Sequence, residues 1–194
     1  MSESSERPIF NLVGDNVALG PFTRDAFDLH VRWVNDWDAQ VTLASTPLGP
    51  RTPETEAAWW ERVTRGERDR GFVIYEREQL VPIGTVSLTG IDYHNRRAGL
   101  GILIGEHEFR GKGYGTEALR LVLDYGFNGL GLHNISLWTV SHNRAAIRAY
   151  EKDGFREVCR TREAHRRAGL VFDVVHMDVL ATEFTGTALK HILP

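Results

Sequence analysis

The chain has 194 residues, 42% of them apolar and 25% charged, which is enough to bury a sizeable core. A formal charge of −3 argues against a general nucleic-acid binder, and a single cysteine, Cys159, excludes an internal disulfide framework. No apolar run approaches the roughly 18 residues of a membrane span. The first six residues are polar and acidic, without a signal-peptide core, so a cytoplasmic protein with no membrane or nucleic-acid partner is expected.

Residues 1–8 read as a flexible tail and 9–194 as one domain, with no repeat, linker or low-complexity segment. Residues 17–20 form a short strand ended by Pro21. Thr23 can cap a helix whose apolar face is Ala26, Phe27, His30, Val31 and Val34. A loop carrying Asp36 and Asp38 then runs to residue 50. Thr52, Pro53 and Glu54 supply a capping hydroxyl, a proline at the first helical position and an acid in the first turn. That helix carries Trp59 and Trp60. Adjacent helical residues point about 100° apart, so one tryptophan is expected in the core and the other is a candidate wall for a substrate. Strands are expected over 72–75 and 80–88, a polar loop over 92–97, and a strand over 100–104.

After that strand the chain reads Gly-Glu-His-Glu-Phe-Arg-Gly-Lys-Gly-Tyr-Gly over 105–115, then turns helical, with Ala118, Leu119, Val122, Leu123 and Phe127 at three- and four-residue intervals. Glycines let backbone N–H groups approach an anion, and the helix N-terminus adds partial positive charge. Arg110 and Lys112 add full charges, so the stretch reads as an anion-binding loop. It is not a Walker A loop, since Gly113 stands where a magnesium-holding hydroxyl is needed. Nor is it the dinucleotide fingerprint, because its third glycine comes one residue early. Another strand alternates over 135–140. Asn143 opens a short helix to about 153, with Gly154 at its C-terminal left-handed position. Strands over 155–158 and 170–180, separated by a charged connection, close the chain. Strands followed by alternating strand and helix imply α/β or α+β with a mixed sheet. Asn143 and Tyr150 lie seven residues apart, nearly on one helix face, where an amide can hold a polar ligand and a phenol can give it a proton. Equally, Asn143 or Ser141 can simply cap the helix.

Arg110-x-x-Gly113-x-Gly115 resembles the pyrophosphate loop of the GNAT superfamily of N-acetyltransferases. Asn143, Ala146, Tyr150, Gly154 and Phe155 fill every place of that family's N-x-x-A-x-x-x-Y-x-x-x-G-F signature. The sequence around the loop is similar to the ribosomal-protein N-acetyltransferase (RimJ/RimL-like) branch. The resemblance implies a GNAT fold: one domain, with a mixed, mostly antiparallel sheet flanked by helices. It further implies acetyl transfer from acetyl-CoA to a primary amine, foremost a protein or peptide α-amine. Small-molecule amines (amino acid, polyamine, aminoglycoside) and a non-catalytic acyl-CoA-binding domain are the alternatives. By the same resemblance the backbone of Leu103, Ile104 and Gly105 would hold the pantetheine arm. Arg110, Gly111, Lys112, Gly113, Tyr114, Gly115 and Thr116 would wrap the pyrophosphate, Asn143 would bind beside the pantetheine, and Tyr150 would be the general acid. A homodimer is common in the family. Many relatives carry a base glutamate in Ala-Glu-Leu-Gly, whereas this chain has Gly99 there, so the base is open: deprotonation through water or by the substrate itself leads, and Glu106 is the candidate side chain ahead of His107, with Asp92 and His94 behind. Arg148 and Lys152 are candidates for the 3′-phosphate, although a solvated helix face accounts for them as well. His133, His142 and His176 lack metal-ligand spacing, so no metal is expected. Seven acids between Asp25 and Glu61, against Arg32 and Arg51, hint at a cationic acceptor.

Overall fold

A computed structural model describes residues 8–43, 48–186 and 189. Most of the expected tail, part of the 36–50 loop and the extreme C-terminus lie outside the described residues. Eight strands form one sheet in the order β1-β2-β3-β4-β5-β6-β8-β7. They are β1 (Leu12–Val13), β2 (Val17–Gly20), β3 (Arg70–Glu76), β4 (Pro82–Asp92), β5 (Arg97–Ile104), β6 (Asn134–Val140), β7 (Arg156–Arg167) and β8 (Leu170–Leu180). Every neighbouring pair is antiparallel except β5 and β6, which run parallel. The helices are α1 (Arg24–Asn35), α2 (Trp37–Thr42), α3 (Pro53–Arg65), α4 (Tyr114–Asp124) and α5 (Arg144–Lys152).

Helix starts follow the expected caps. Thr23 Oγ1 accepts from Ala26 N–H at 3.3 Å, and Thr52 and Thr55 cap one another ahead of Pro53; such a cap contributes about 1 kcal/mol. The 36–50 stretch is not all loop. Asp36 caps α2 by accepting from Ala39 N–H at 3.0 Å, so one of the acids read as loop is a helix start.

Alternation on β3 sorts the two layers. Phe72 and Ile74 join the main core with Ala118, Leu119 and Val122 of α4 and Ile147 and Tyr150 of α5. Val73 and Tyr75 point the other way, into a smaller cluster with Ala26 of α1 and Trp60 of α3. Thus α4 and α5 cover one face, and α1 and α3 cover the other beside β2–β4. α4 runs into a π-helical turn over Tyr125–Gly129, where Tyr125 meets Phe72 edge-on.

The charged connection expected after residue 158 is strand. β7 continues to Arg167 and returns through Ala168 and Gly169, both at positive φ, as a two-residue hairpin turn requires. Its register slips between Glu157 and Cys159 and again between Thr161 and His165, with Glu163 at positive φ. Glycine 169, not charge, was the turn signal.

Candidate active site

β5 and β6 stay paired for three residues only: Arg97 with Asn134, Ala98 with Ile135, and Gly99 with Ser136. Beyond Gly99 they part. Main-chain groups on a strand point alternately to its two neighbours. Gly105 N–H donates to the Ile83 carbonyl on the β4 side, at 2.8 Å. The Arg96 carbonyl accepts from Asn134 N–H on the β6 side, at 3.2 Å. Leu100 N–H therefore closes the last rung of the pairing, and Ile102 and Ile104 turn their N–H groups into the gap. Leu103, opposite Thr85, faces β4 instead. Of the expected backbone partners, only Ile104 faces the gap, and Ile102 joins it.

The gap leads to the glycine loop. Gly111 (φ +71°) and Gly113 (φ +94°) hold the left-handed region, and a Cβ added at either meets nothing within 4 Å. Their requirement is conformational, and the space above them is open. Gly113 caps α4 without a side chain, and the first intrahelical bond is from Glu117 N–H to its carbonyl at 3.0 Å. The N–H groups of Tyr114, Gly115 and Thr116 precede that bond and have no intrahelical acceptor. Gly115 packs close to Ile104, where a Cβ would lie 3.4 Å from the side chain, so the helix start is held at the end of β5. Lys112 is exposed. Arg110 turns away: Nε donates to the Ile104 carbonyl at 2.9 Å and Nη2 to the Gly105 carbonyl at 3.0 Å. It shapes the loop, leaving backbone N–H groups and Lys112 for an anion. A pyrophosphate fits this donor set.

On α5, Asn143 Oδ1 accepts from Ala146 N–H at 3.2 Å, so the side chain caps the helix and its amide N–H₂ is what a ligand would meet. Tyr150 is 9% exposed and packs against Phe155 with ring centroids 5.8 Å apart. Burial pushes its phenol up to about 12. α5 is tied to α4 by Arg120 Nε and Asp153 Oδ1 at 2.7 Å. Burial raises the Asp153 carboxyl pKa against the opposing pull of Arg120.

On the opposite sheet face, where β5 and β6 begin to part, lies a shallow cavity of about 280 Å³. Thr89, Gly99, Ser136, Trp138, His176 and Asp178 line it. Asp178 Oδ2 accepts from Asn134 Nδ2 at 2.8 Å, and His176 Nε2 lies 3.1 Å from Thr161 Oγ1.

A model of the acetyltransferase (GNAT) domain matches residues 16–156. The chain belongs to the GNAT acetyltransferase family. As in that family, its activity is N-acetyl transfer and its acyl donor is acetyl-CoA. The chain is 34% identical over 116 residues to spermidine N(1)-acetyltransferase of Vibrio cholerae, covering 60% of this chain and 66% of the relative. It is 32% identical over 103 residues to the putative ribosomal N-acetyltransferase YdaF of Bacillus subtilis, covering 53% of this chain and 56% of that one. Among solved structures it is similar to spermidine N-acetyltransferase from Vibrio cholerae in complex with CoA and spermine. There the TM-score is 0.78 at 26% identity, covering 88% of this chain and 98% of the other.

Several GNAT residues expected from sequence are engaged elsewhere. Glu106, the candidate base, pairs with Arg32 and accepts from Trp33 Nε1 at 2.8 Å. Trp33 in turn lies on Gly105, where a Cβ would come within 2.1 Å of the ring. The carboxylate thus secures α1 to the end of β5. Both tryptophans of α3 fill the α1–α3 seam. Trp60 stacks on Phe22 at 4.2 Å and Trp59 on His30 at 4.6 Å, and neither lines the cavity beside the gap. Part of the acidic run is paired with nearby cationic or imidazole groups. Arg51 holds Glu56, which also faces His30 at 3.3 Å, and His107 holds Asp36 at 2.9 Å. Burial pulls the Asp36 carboxyl upward, but His107, the Ala39 N–H and Arg110 together hold it below the usual carboxylate range. Asp38 and His107 complete a set whose ligand atoms lie within 4.8 Å of one another, a grouping the sequence spacing concealed. Arg148 and Lys152 are exposed on α5. Thr89, Ser136, Trp138 and Asp178 were not singled out from the sequence. Their signal is the polar phase of strands whose other phase is core.

Proposed function

We propose that this N-acetyltransferase acts on a primary amine of a small polycation of the spermidine type, by direct attack with both substrates bound. The similarity at TM-score 0.78 to an enzyme solved with CoA and spermine carries the reading. His142 Nε2 lies 3.0 Å from the Val41 carbonyl, and Arg167 Nη2 donates to the Leu43 carbonyl at 3.5 Å. These contacts tie α2 and Leu43 to the segment after β6 and to the β7–β8 hairpin.

Acetyl-CoA would supply an activated acyl thioester; as the new N–C bond forms the C–S bond breaks, nitrogen gives its proton to water and sulfur takes one up. The N–H groups of Ile102 and Ile104, aimed into the gap, are placed to polarise the acyl oxygen. Tyr150 remains protonated throughout the neutral range and holds the proton for sulfur. A phenol at about 12 lies about 3.5 units above an ordinary thiol, so giving the proton up outright is uphill by about 5 kcal/mol. Its contribution is therefore a hydrogen bond that strengthens as charge builds on sulfur, with the proton following when the phenol regains contact with water. Glu106 is given no base role in this reading, since Arg32 and Trp33 both donate to its Oε1 and hold the carboxylate against α1. The intact Tyr150 weighs against a non-catalytic acyl-CoA-binding domain.

A second reading, a protein α-amine as acceptor within the ribosomal-protein (RimJ/RimL-like) branch, is favoured by the similarity to YdaF. Thiol release from acetyl-CoA, followed over spermidine, spermine, single amino acids, aminoglycosides and short peptides with free Ala, Ser, Thr or Met termini, separates the two. The expected outcome is turnover with the polyamines at least tenfold above any peptide. A peptide-restricted signal sinks the polyamine reading.

A further inference from the structure

We infer that the cavity beside Gly99 is the acceptor subsite, and that Asp178 is the counter-ion that holds the acceptor's ammonium group. The inference rests on the polyamine reading and names the residues that would carry it. One register row crosses four strands: Thr89 opposite Gly99, Gly99 opposite Ser136, and Ser136 opposite Asp178. Strands lie about 4.8 Å apart, so Asp178 sits about 10 Å from Gly99 along this row, with only Ser136 between. The row crosses β5 and β6 at the last pair before they part, which places one end of the cavity at the reaction gap and the other at a carboxylate. An extended alkylamine spans that distance.

Three features suit a cation. Asn134 uses Oδ2 of Asp178, leaving Oδ1 with no partner among the described residues. Trp138, 45% exposed, stands one position along on the same face, opposite His176, and offers its ring to an ammonium group. Gly99 keeps the floor open, since a Cβ there would lie 3.1 Å from Thr89 Oγ1. The residue that removes a carboxylate from β5 therefore also makes room for one reached from β8.

The test is calorimetric titration of spermidine into the CoA-saturated protein, wild type against Asp178→Asn. The amide keeps the shape and still accepts from Asn134. Loss of a charge-assisted bond is expected to weaken spermidine about ten- to a hundredfold, with CoA affinity unchanged. Ser136 is exposed, so Ser136→Leu tests the same path without disturbing the core; it should block spermidine and spare CoA. Wild-type spermidine affinity in both variants overturns the subsite and leaves the polyamine reading standing. A CoA-saturated wild type that binds no spermidine takes both down.

Discussion

The two sides of the reaction gap are built in different ways. On the proposed donor side the groups offered to a ligand are main chain: N–H groups of Ile102 and Ile104, the turn at Gly111 and Gly113, and the uncapped first turn of α4. On the proposed acceptor side the cavity offers side chains of β4, β6 and β8 over a glycine of β5. Backbone geometry is fixed by the fold and tolerates variation around it. A side-chain wall changes with any substitution on four strands. One half can therefore be kept while the other is respecified.

Tyr150→Phe breaks the donor side most directly, because it keeps the packing and removes only the hydroxyl. Turnover is expected to fall about a hundredfold, with CoA affinity unchanged by calorimetry. Unchanged turnover would remove the phenol from the chemistry. Trp59→Ala asks whether the α1–α3 seam belongs to either side. It should cost about 2 kcal/mol in denaturant unfolding, scaled down from a fully buried aromatic, and leave the spermidine KM where it was. A selective rise in that KM would return Trp59 to the acceptor wall. Gly113→Val sharpens the backbone claim. A branched side chain at φ +94° is strained, so CoA affinity should drop about tenfold while spermidine binding in the cavity is retained. Equal losses of both ligands would show that the two halves are not separable.

The same division explains what could be read in the sequence. The donor side is local. Strand, glycine turn, helix start and the Asn143–Tyr150 helix occupy continuous segments, and glycine at a positive-φ position leaves a mark in the chain itself. Even there, the direction of each strand amide was out of reach. Parity depends on which neighbour a residue pairs with, so Leu103 and Ile104 were indistinguishable until Gly105 was found bonded to Ile83. Arg110 read as an anion ligand because it lies in the loop, whereas its guanidinium closes on carbonyls behind it. The acceptor side is non-local. Asp178 and Gly99 are neighbours only through the register of β6 with β8, and no spacing along the chain announces that. Glu106 stands out in the sequence by its position after β5, whereas the tryptophan and arginine that both donate to its Oε1 lie 73 and 74 residues away.

Among the described residues β7 closes the sheet with one of its hydrogen-bonding sides unpaired, and at 12 residues it is the longest strand. A long bare edge is a template on which further chains can polymerise. This one carries five arginines and two glutamates, a surplus of three positive charges, and two register slips bend it out of line. A second copy laid against it would meet the same surplus, so self-association through this edge is opposed by like charge. That protection is electrostatic and screened over about 8 Å at physiological ionic strength. The protein should accordingly stay dispersed in dilute buffer and lose part of that colloidal protection as salt is raised.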